Sequence, residues 1–366
     1  MPRTESSFYS DGALMRCRKS KRLGELQGEA TRKKRAMVAT DKATSQALYR
    51  GMAAGKLVSP APSVFIRKEL WATLSPEDRL LYTMRALRKL HPDWVFASTS
   101  AAVAHGLSVS YADMWPVRIA VARRQYDSTP TKALVRQLVS EDTPVEVNGL
   151  MVTSLKRTCF DCLRELDFCH GLAVADSTLR VGGLSPEALV AALEEMPHNC
   201  EGWQHALSTA RHADARAESG GESIARGQMI RLGYAVPDLQ VAAADLLGEV
   251  QGYRADYGWE LPDGTTLLGE LDGFEKYVNP AMTGDRDAVQ VLVDERQRES
   301  RISAPGVRVM RFRFQDVVDE QRLRKILDAY GVPHAQETSE LMDAGAYQPS
   351  WKGLLTAKTL DEARRL

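Results

Sequence analysis

Asp256, Glu270 and Asp272 are the residues whose types and spacing could do chemistry. Glu270 and Asp272 are two apart, so in a strand they point to the same face. Asp256 joins them if the stretch before Pro262 pairs with the stretch after Gly264. Three carboxylates gathered on one patch repel one another unless a proton or a cation sits between them. A hard divalent ion such as magnesium suits oxygen donors of this kind. Bound there, it would lower the pKa of a water and polarise a phosphodiester. The plainer alternative is a solvated face, since antiparallel sheets often leave one side wet.

The elements that must position these side chains can be read around them. Pro262-Asp263-Gly264 has turn chemistry, with Pro presetting φ and Gly accepting the second corner. Before it, Tyr253, Ala255, Tyr257 and Trp259 alternate with Arg254, Asp256 and Gly258; after it, Leu267, Gly269 and Leu271 alternate with Leu268, Glu270 and Asp272. Upstream, 222–233 reads as a helix stopped by Gly233, and 237–245 as a strand. Downstream, 285–303 reads as a charged amphipathic helix, and VRVMRFRF at 307–314 as an alternating strand. The expected order is helix, three strands, helix, strand.

That order, with acids at those positions, resembles the PD-(D/E)xK restriction-endonuclease-like fold, in its branch related to very-short-patch-repair endonucleases. The likeness covers about 218–316. It implies metal-dependent phosphodiester hydrolysis with magnesium, or manganese as a substitute. Carried over by position, Glu222 matches the helix glutamate, Asp256 the metal-bridging aspartate and Glu270 the second metal ligand. The family pattern places lysine two residues after that glutamate, where this chain has Asp272. Lys276, or Arg298 and Arg301 on the next helix, could supply the missing cation. Glu270-Leu271-Asp272-Gly273 followed by Lys276-Tyr277 looks like a subgroup feature. The resemblance implies catalytic roles for Glu222, Asp256, Glu270, Asp272 and Lys276, with Asp256 and Glu270 holding the metal.

The chain has 366 residues, 44% hydrophobic and 26% charged, as in ordinary soluble proteins with two or three cored domains. Its formal net charge is zero, so no global field announces a nucleic-acid partner, and charge must be read locally. The 5 cysteines are irregularly spaced, which fits a reducing cytoplasm better than a disulfide scaffold. No apolar run is long enough to span a bilayer, and the basic N-terminus lacks the apolar core of a signal peptide, so no membrane partner is expected.

Residues 1–23 read as a basic flexible tail. Arg32, Lys33, Lys34 and Arg35 continue the basic character and could contact phosphates. Within 24–70, a helix over 24–38, a second over 45–54 and two strands around a proline turn at 56–66 make a winged helix-turn-helix pattern. The second helix offers Ser45, Gln46, Tyr49 and Arg50 to a major groove. Otherwise Tyr49 and Met52 are core. Residues 71–166 read as an α/β domain: a helix over 77–90 after Ser75, a short one at 98–105, strands at 117–122 and 145–152, and a helix opened by Thr153-Ser154. The helix and wing, STSAAVAHGL, VRIAVARR and GLMVTSLKRT together resemble AbiE-type antitoxins of abortive-infection systems. That likeness implies DNA, and a cognate toxin protein, as partners.

Cys159, Cys162 and Cys169-His170 have the spacing of no standard zinc finger, so buried thiols explain them more simply. Residues 167–217 read as a helical connector, 218–332 as the nuclease-like domain and 333–366 as a polar tail. Arg298 and Arg301, with Arg311 and Arg313 on the last strand, could hold a DNA backbone across the acidic patch or form ion pairs with neighbouring acids. The whole is an α/β (α+β) chain: winged helix, middle α/β domain, and C-terminal αβββαβ core. Its function divides between a DNA nuclease in a defence or toxin–antitoxin setting and a non-catalytic DNA-binding regulator built on the same scaffold.

Overall fold

The computed structural model describes residues 24–122, 133–139, 141–243, 253–272 and 307–335. The described residues fall into two compact units, 24–105 with 111–154, and 106–110 with 155–335. Both mix helices with small sheets.

The first unit opens with helix α1 (24–32), strand β1 (Met37–Val38), helix α2 (Lys42–Ala53) and the hairpin β2 (Leu57–Ala61) and β3 (Val64–Arg67). These strands form one sheet in the order β1-β3-β2. The single helix expected over 24–38 is therefore corrected. It stops at 32, Lys34 takes a left-handed φ of 44°, and Met37 and Val38 pair with Phe65 and Val64. As a strand, those two apolar residues become buried, and Met37 packs with Leu48 and Phe65. Asp41 caps α2, its carboxylate accepting from the backbone N–H groups of Ala43 and Thr44.

Helices α3 (Lys68–Thr73), α4 (Pro76–Leu90) and α5 (Ser98–His105) follow, with Ser75 capping α4. Strands β4 (Val117–Val121) and β5 (Leu134–Leu138) run parallel, and β6 (Val145–Val147) turns back on β7 (Leu150–Val152). Asn148 and Gly149, at φ 52° and 78°, make the turn that a two-residue hairpin favours. The parallel partner β5 is absent from the sequence expectations.

The second unit begins with α6 (Leu155–Glu165), α7 (Phe168–Gly182), α8 (Pro186–Glu194), α9 (Trp203–Ala210) and α10 (Gly220–Arg231). Its sheet has β8 (Asp238–Ala243), β9 (Tyr253–Glu260), β10 (Thr266–Asp272) and β11 (Val307–Arg313), in the order β11-β10-β9-β8. Only β10 and β11 are parallel; the other neighbours are antiparallel. Helices α11 (Phe314–Val318) and α12 (Glu320–Tyr330) close it. The helices expected as a connector belong to this unit's body. Cys169 and Ala173 of α7 share a core cluster with Met229 of α10, Tyr257 and Trp259 of β9, and Met310 and Phe312 of β11. Gly227 makes the close approach possible, since a Cβ there would lie 3.0 Å from the Cα of Cys169.

Candidate functional site

The sheet of the second unit has two unlike faces. Leu267 of β10 and Met310 and Phe312 of β11 point into the core shared with α7 and α10. Leu268, with Val307 and Val309, belongs to a second small cluster that also holds Ala255 and Val241. Alternation places Glu270 and Asp272 on the Leu268 face of β10, and Arg311 on the Val309 face of β11. The parallel register sets Glu270 opposite Arg311 and Asp272 opposite Arg313. On this face, then, apolar positions give way to charge toward the ends of β10 and β11.

The charged group is tightly made. Arg311 Nη2 lies 2.8 Å from Glu270 Oε2, and Nη1 lies 4.0 Å from Asp272 Oδ1. All three side chains are partly withdrawn from water, at 18% exposure for Glu270, 26% for Asp272 and 23% for Arg311. Asp256 reaches the same end of the sheet from β9. The β9–β10 pairing runs from Glu260 opposite Thr266 to Tyr257 opposite Gly269. One step further, the Asp256 carboxylate accepts the Leu271 N–H through Oδ2 at 2.9 Å.

Glu222 is engaged differently. It sits in the first turn of α10, which packs on the core face of the sheet. Its carboxylate accepts from Ser219 Oγ at 2.8 Å and the Glu218 N–H at 2.8 Å, while Ser219 Oγ accepts the Glu222 N–H. That is a reciprocal cap, a role the sequence reading did not assign to it. Gln240 Nε2 also donates to Glu222 Oε2, from a residue at φ 57° where the β8–β9 register skips a pair. Tyr257 donates its hydroxyl to the Glu222 carbonyl at 2.9 Å. Burial first, then the charges of Glu222 and Asp256, push that phenol well above its ordinary range, so it stays a neutral donor.

Of the expected acidic set, Glu270 and Asp272 meet at Arg311, Asp256 bonds to the adjoining backbone, and Glu222 caps its helix. Lys276, Arg298 and Arg301 lie outside the described residues. Among the described residues, no group of three or more His, Cys, Asp or Glu side chains is disposed to hold a metal ion. The donor chemistry still suits a hard cation, for Glu270 and Asp272 offer carboxylate oxygens and a guanidinium already stands among them as a positive charge. From the sequence, Arg311 is expected in a DNA-facing row or in ion pairs with other acids. Its partners depend on a strand register that no local pattern encodes.

In the first unit, Gln46, Tyr49 and Arg50 of α2 are exposed and Ser45 is half-buried. Tyr49 keeps 47% of its surface in water and Met52 38%, so neither is core. The Tyr49 ring stands edge-on to Phe65, centroids 5.0 Å apart. Arg32, Lys33 and Lys34 are exposed, whereas Arg35 is 4% exposed and bonds to Glu29 at 2.8 Å and to the Ala36 carbonyl. The expected phosphate contact at Arg35 is thus corrected: its guanidinium ties α1 to the following turn.

Cys159, Cys162 and Cys169 are buried and form no disulfide. Burial pushes Cys159 up to about 12 and raises Cys169 as well, so both remain neutral. His105 bonds through Nε2 to the Thr153 carbonyl, and His170 pairs with Asp167 one helical turn away. No described helix is long and apolar enough to cross a membrane.

No protein-family model matches the chain, and no curated protein matches it. Among solved structures, the RV2827C protein from Mycobacterium tuberculosis is similar over 50% of this chain and 69% of its own, at 17% identity and a TM-score of 0.29.

Proposed function

We propose that the chain is a DNA-interacting protein whose second unit carries a restriction-endonuclease-like core capable of magnesium-dependent phosphodiester hydrolysis. One observation supports this above the others. Helix α10 is followed by three antiparallel-paired strands and then a strand parallel to the third, with Asp256 and Glu270 at the end where β9 and β10 part. Asp256 and Glu270 would hold the ion, with Asp272 beside them. The ion, when bound, supplies an activated water and polarises the phosphate. The chain's residues hold the ligands in place: the Leu271 N–H orients Asp256, and Arg311 orients Glu270. Helix α2 and the β2–β3 hairpin form the winged-helix element that would dock the duplex, with Gln46, Tyr49 and Arg50 toward the groove. Lys33 and Lys34 would add phosphate contacts. Cleavage of single- and double-stranded DNA with magnesium or manganese, wild type beside Glu270→Ala, tests the reading. Ion-dependent strand loss that disappears in the variant upholds it. No cleavage by folded wild type on a broad substrate panel counts against it.

A second reading rests on the Arg311 pair. A guanidinium on Glu270 and Asp272 already satisfies part of the charge that a metal would otherwise balance. On that reading the nuclease-like core is a scaffold, and the protein is a DNA-binding regulator or antitoxin with a cognate toxin as partner. Retention of a promoter fragment without turnover, under ions that support other nucleases, would favour it.

A further inference from the structure

Cations gather along α4 and the end of α1. Arg88 and Lys89 stand three and four residues after Arg85, so the three share one stripe of the helix. Arg85 donates through Nη1 to the Lys34 carbonyl at 3.1 Å, which brings the exposed Arg32, Lys33 and Lys34 to that stripe. Arg85 and Arg88 bond to carbonyl oxygens, and among the described residues neither has a carboxylate partner. Glu29 answers the row only in part, shared between Lys89 at 3.1 Å and the buried Arg35 at 2.8 Å. At the end of α4 the chain turns through His91-Pro92-Asp93-Trp94, where the Trp94 N–H donates to the His91 carbonyl at 3.1 Å. Pro92 suits the second position of such a turn. The turn lays the two rings face to face, centroids 3.8 Å apart and 10° from parallel. Arg88 reaches the Trp94 carbonyl at 3.5 Å, tying the stack to the row. His91 is exposed and Trp94 half-buried, so the stack is open to water on the His91 side. A basic row that ends in an open aromatic stack suits a single strand, with cations along the phosphates and a ring under an unpaired base. Inside a duplex, neighbouring bases already cover that face.

We propose that α4 and the His91–Trp94 stack bind an unpaired stretch of DNA. One base rests on His91, and its backbone runs along Arg88, Lys89 and Arg85 toward Lys34. From Arg85 to His91 the helix advances about 9 Å, which spans about two or three phosphates at the spacing of a stacked strand. This rests on the DNA-binding reading given above and adds a single-stranded partner to it. The surface takes a strand where a duplex opens or ends. Asp93, an exposed carboxylate within the turn, opposes the phosphates.

The test is fluorescence anisotropy of the full chain with a short labelled oligothymidine and with a random duplex of equal length, across a salt series. Tm checks folding. His91→Ala is expected to weaken oligothymidine binding about tenfold, the loss of one stacked base, and to leave duplex affinity unchanged. Trp94→Phe should keep most of the affinity, because a ring still backs the imidazole. Arg88→Ala and Lys89→Ala should each lower the single-strand salt slope by about 0.7. Asp93→Asn should bind oligothymidine more tightly than wild type, which general damage to the fold cannot imitate; it carries the test should His91→Ala not fold. Equal oligothymidine affinity in wild type, His91→Ala and Asp93→Asn overturns the inference. So does an equal loss on duplex and single strand in His91→Ala, which makes the turn a general duplex contact. Duplex binding by wild type without oligothymidine binding removes the single-strand surface and leaves the DNA-binding reading standing. Binding of neither removes both.

Discussion

Asp176 of α7 and Arg226 of α10 meet inside the second unit, with Arg226 Nη2 at 2.9 Å from Oδ1 and 2.8 Å from Oδ2 of the carboxylate. Asp176 is fully buried and Arg226 only 3% exposed. The Asp214 N–H donates to Asp176, and Arg226 Nη1 donates to the His212 carbonyl. One ion pair thereby fastens two helices and the segment between α9 and α10.

The two partners should not be equally costly to remove. Asp176→Asn leaves a buried guanidinium that cannot shed its charge, a loss of about 3–5 kcal/mol by analogy with broken buried pairs. Arg226→Met leaves a carboxyl that burial already pushes upward, and that can take a proton. A raised carboxyl contributes most at low pH and loses that contribution as pH rises through its folded value. Arg226→Met should therefore be distinctly less destabilised at about pH 5 than at about pH 8, by urea unfolding. Asp176→Asn should show no such recovery on acidification. Equal losses with the same pH dependence in both variants would refute the asymmetry.

His212 gives a second pH signature. Burial first, and then the charge of Arg226, hold its imidazole below the ordinary 6.5, and its ring packs edge-on to Phe168. The unfolded chain takes the proton first as pH falls, so this group's contribution is complete above 6.5 and is lost toward its folded value. Wild-type Tm should fall between about pH 7 and pH 5, and His212→Gln should flatten part of that slope. His91, also lowered by burial, adds to the same slope. An unchanged slope in the variant would show that His212 does not titrate on unfolding.

Gly258 tests how β8 and β9 pack. A Cβ at this position would stand 2.6 Å from Val241 Cγ2, closer than real side chains approach. Gly258→Ala should cost roughly 1–3 kcal/mol, as overpacked cores do. Val241→Ala in the same chain should recover much of it, a coupling of about 0.5–3 kcal/mol in a double-mutant cycle followed by urea unfolding. Additive losses would mean that the strands part locally instead of clashing.

Local signals carried much of this fold in the sequence. Ser75, Asn148-Gly149 and Pro262-Asp263-Gly264 each fix a cap or turn through their own chemistry, and the structure has them there. Where a long-range partner decides, local pattern does not carry the outcome. Met37 and Val38 look helical until Phe65 and Val64 arrive beside them. The helices α7 to α9 look like a linker until Cys169 meets Gly227 and Asp176 meets Arg226. At the acidic site, Glu270 and Asp272 were legible as a pair because two-residue spacing sets a strand face. Arg311 was not, because its partners depend on a parallel register between strands far apart in the sequence. Glu222 has a second local part: a glutamate three residues after a serine is also a helix cap, and here it caps.

The exposed face of α2 leads to the last prediction. Asp41 fixes where the helix begins, and Phe65 steadies the Tyr49 ring while nearly half of that residue faces water. Arg50 returns Nε to the Gln46 carbonyl, which keeps its guanidinium along the same face. An aromatic held this way loses little entropy on contact, and Gln46 beside it can read a base edge. Tyr49→Ala and Gln46→Ala should each weaken binding to a selected duplex by about 1–3 kcal/mol and reduce its margin over random sequence. Lys33→Ala and Arg50→Ala should weaken all duplexes alike and lower the salt slope by about one, as lost phosphate contacts do. Fluorescence anisotropy across a salt series, with Tm as the folding control, separates the two classes. If all four variants bind like wild type at every salt concentration, α2 is not the surface that meets DNA.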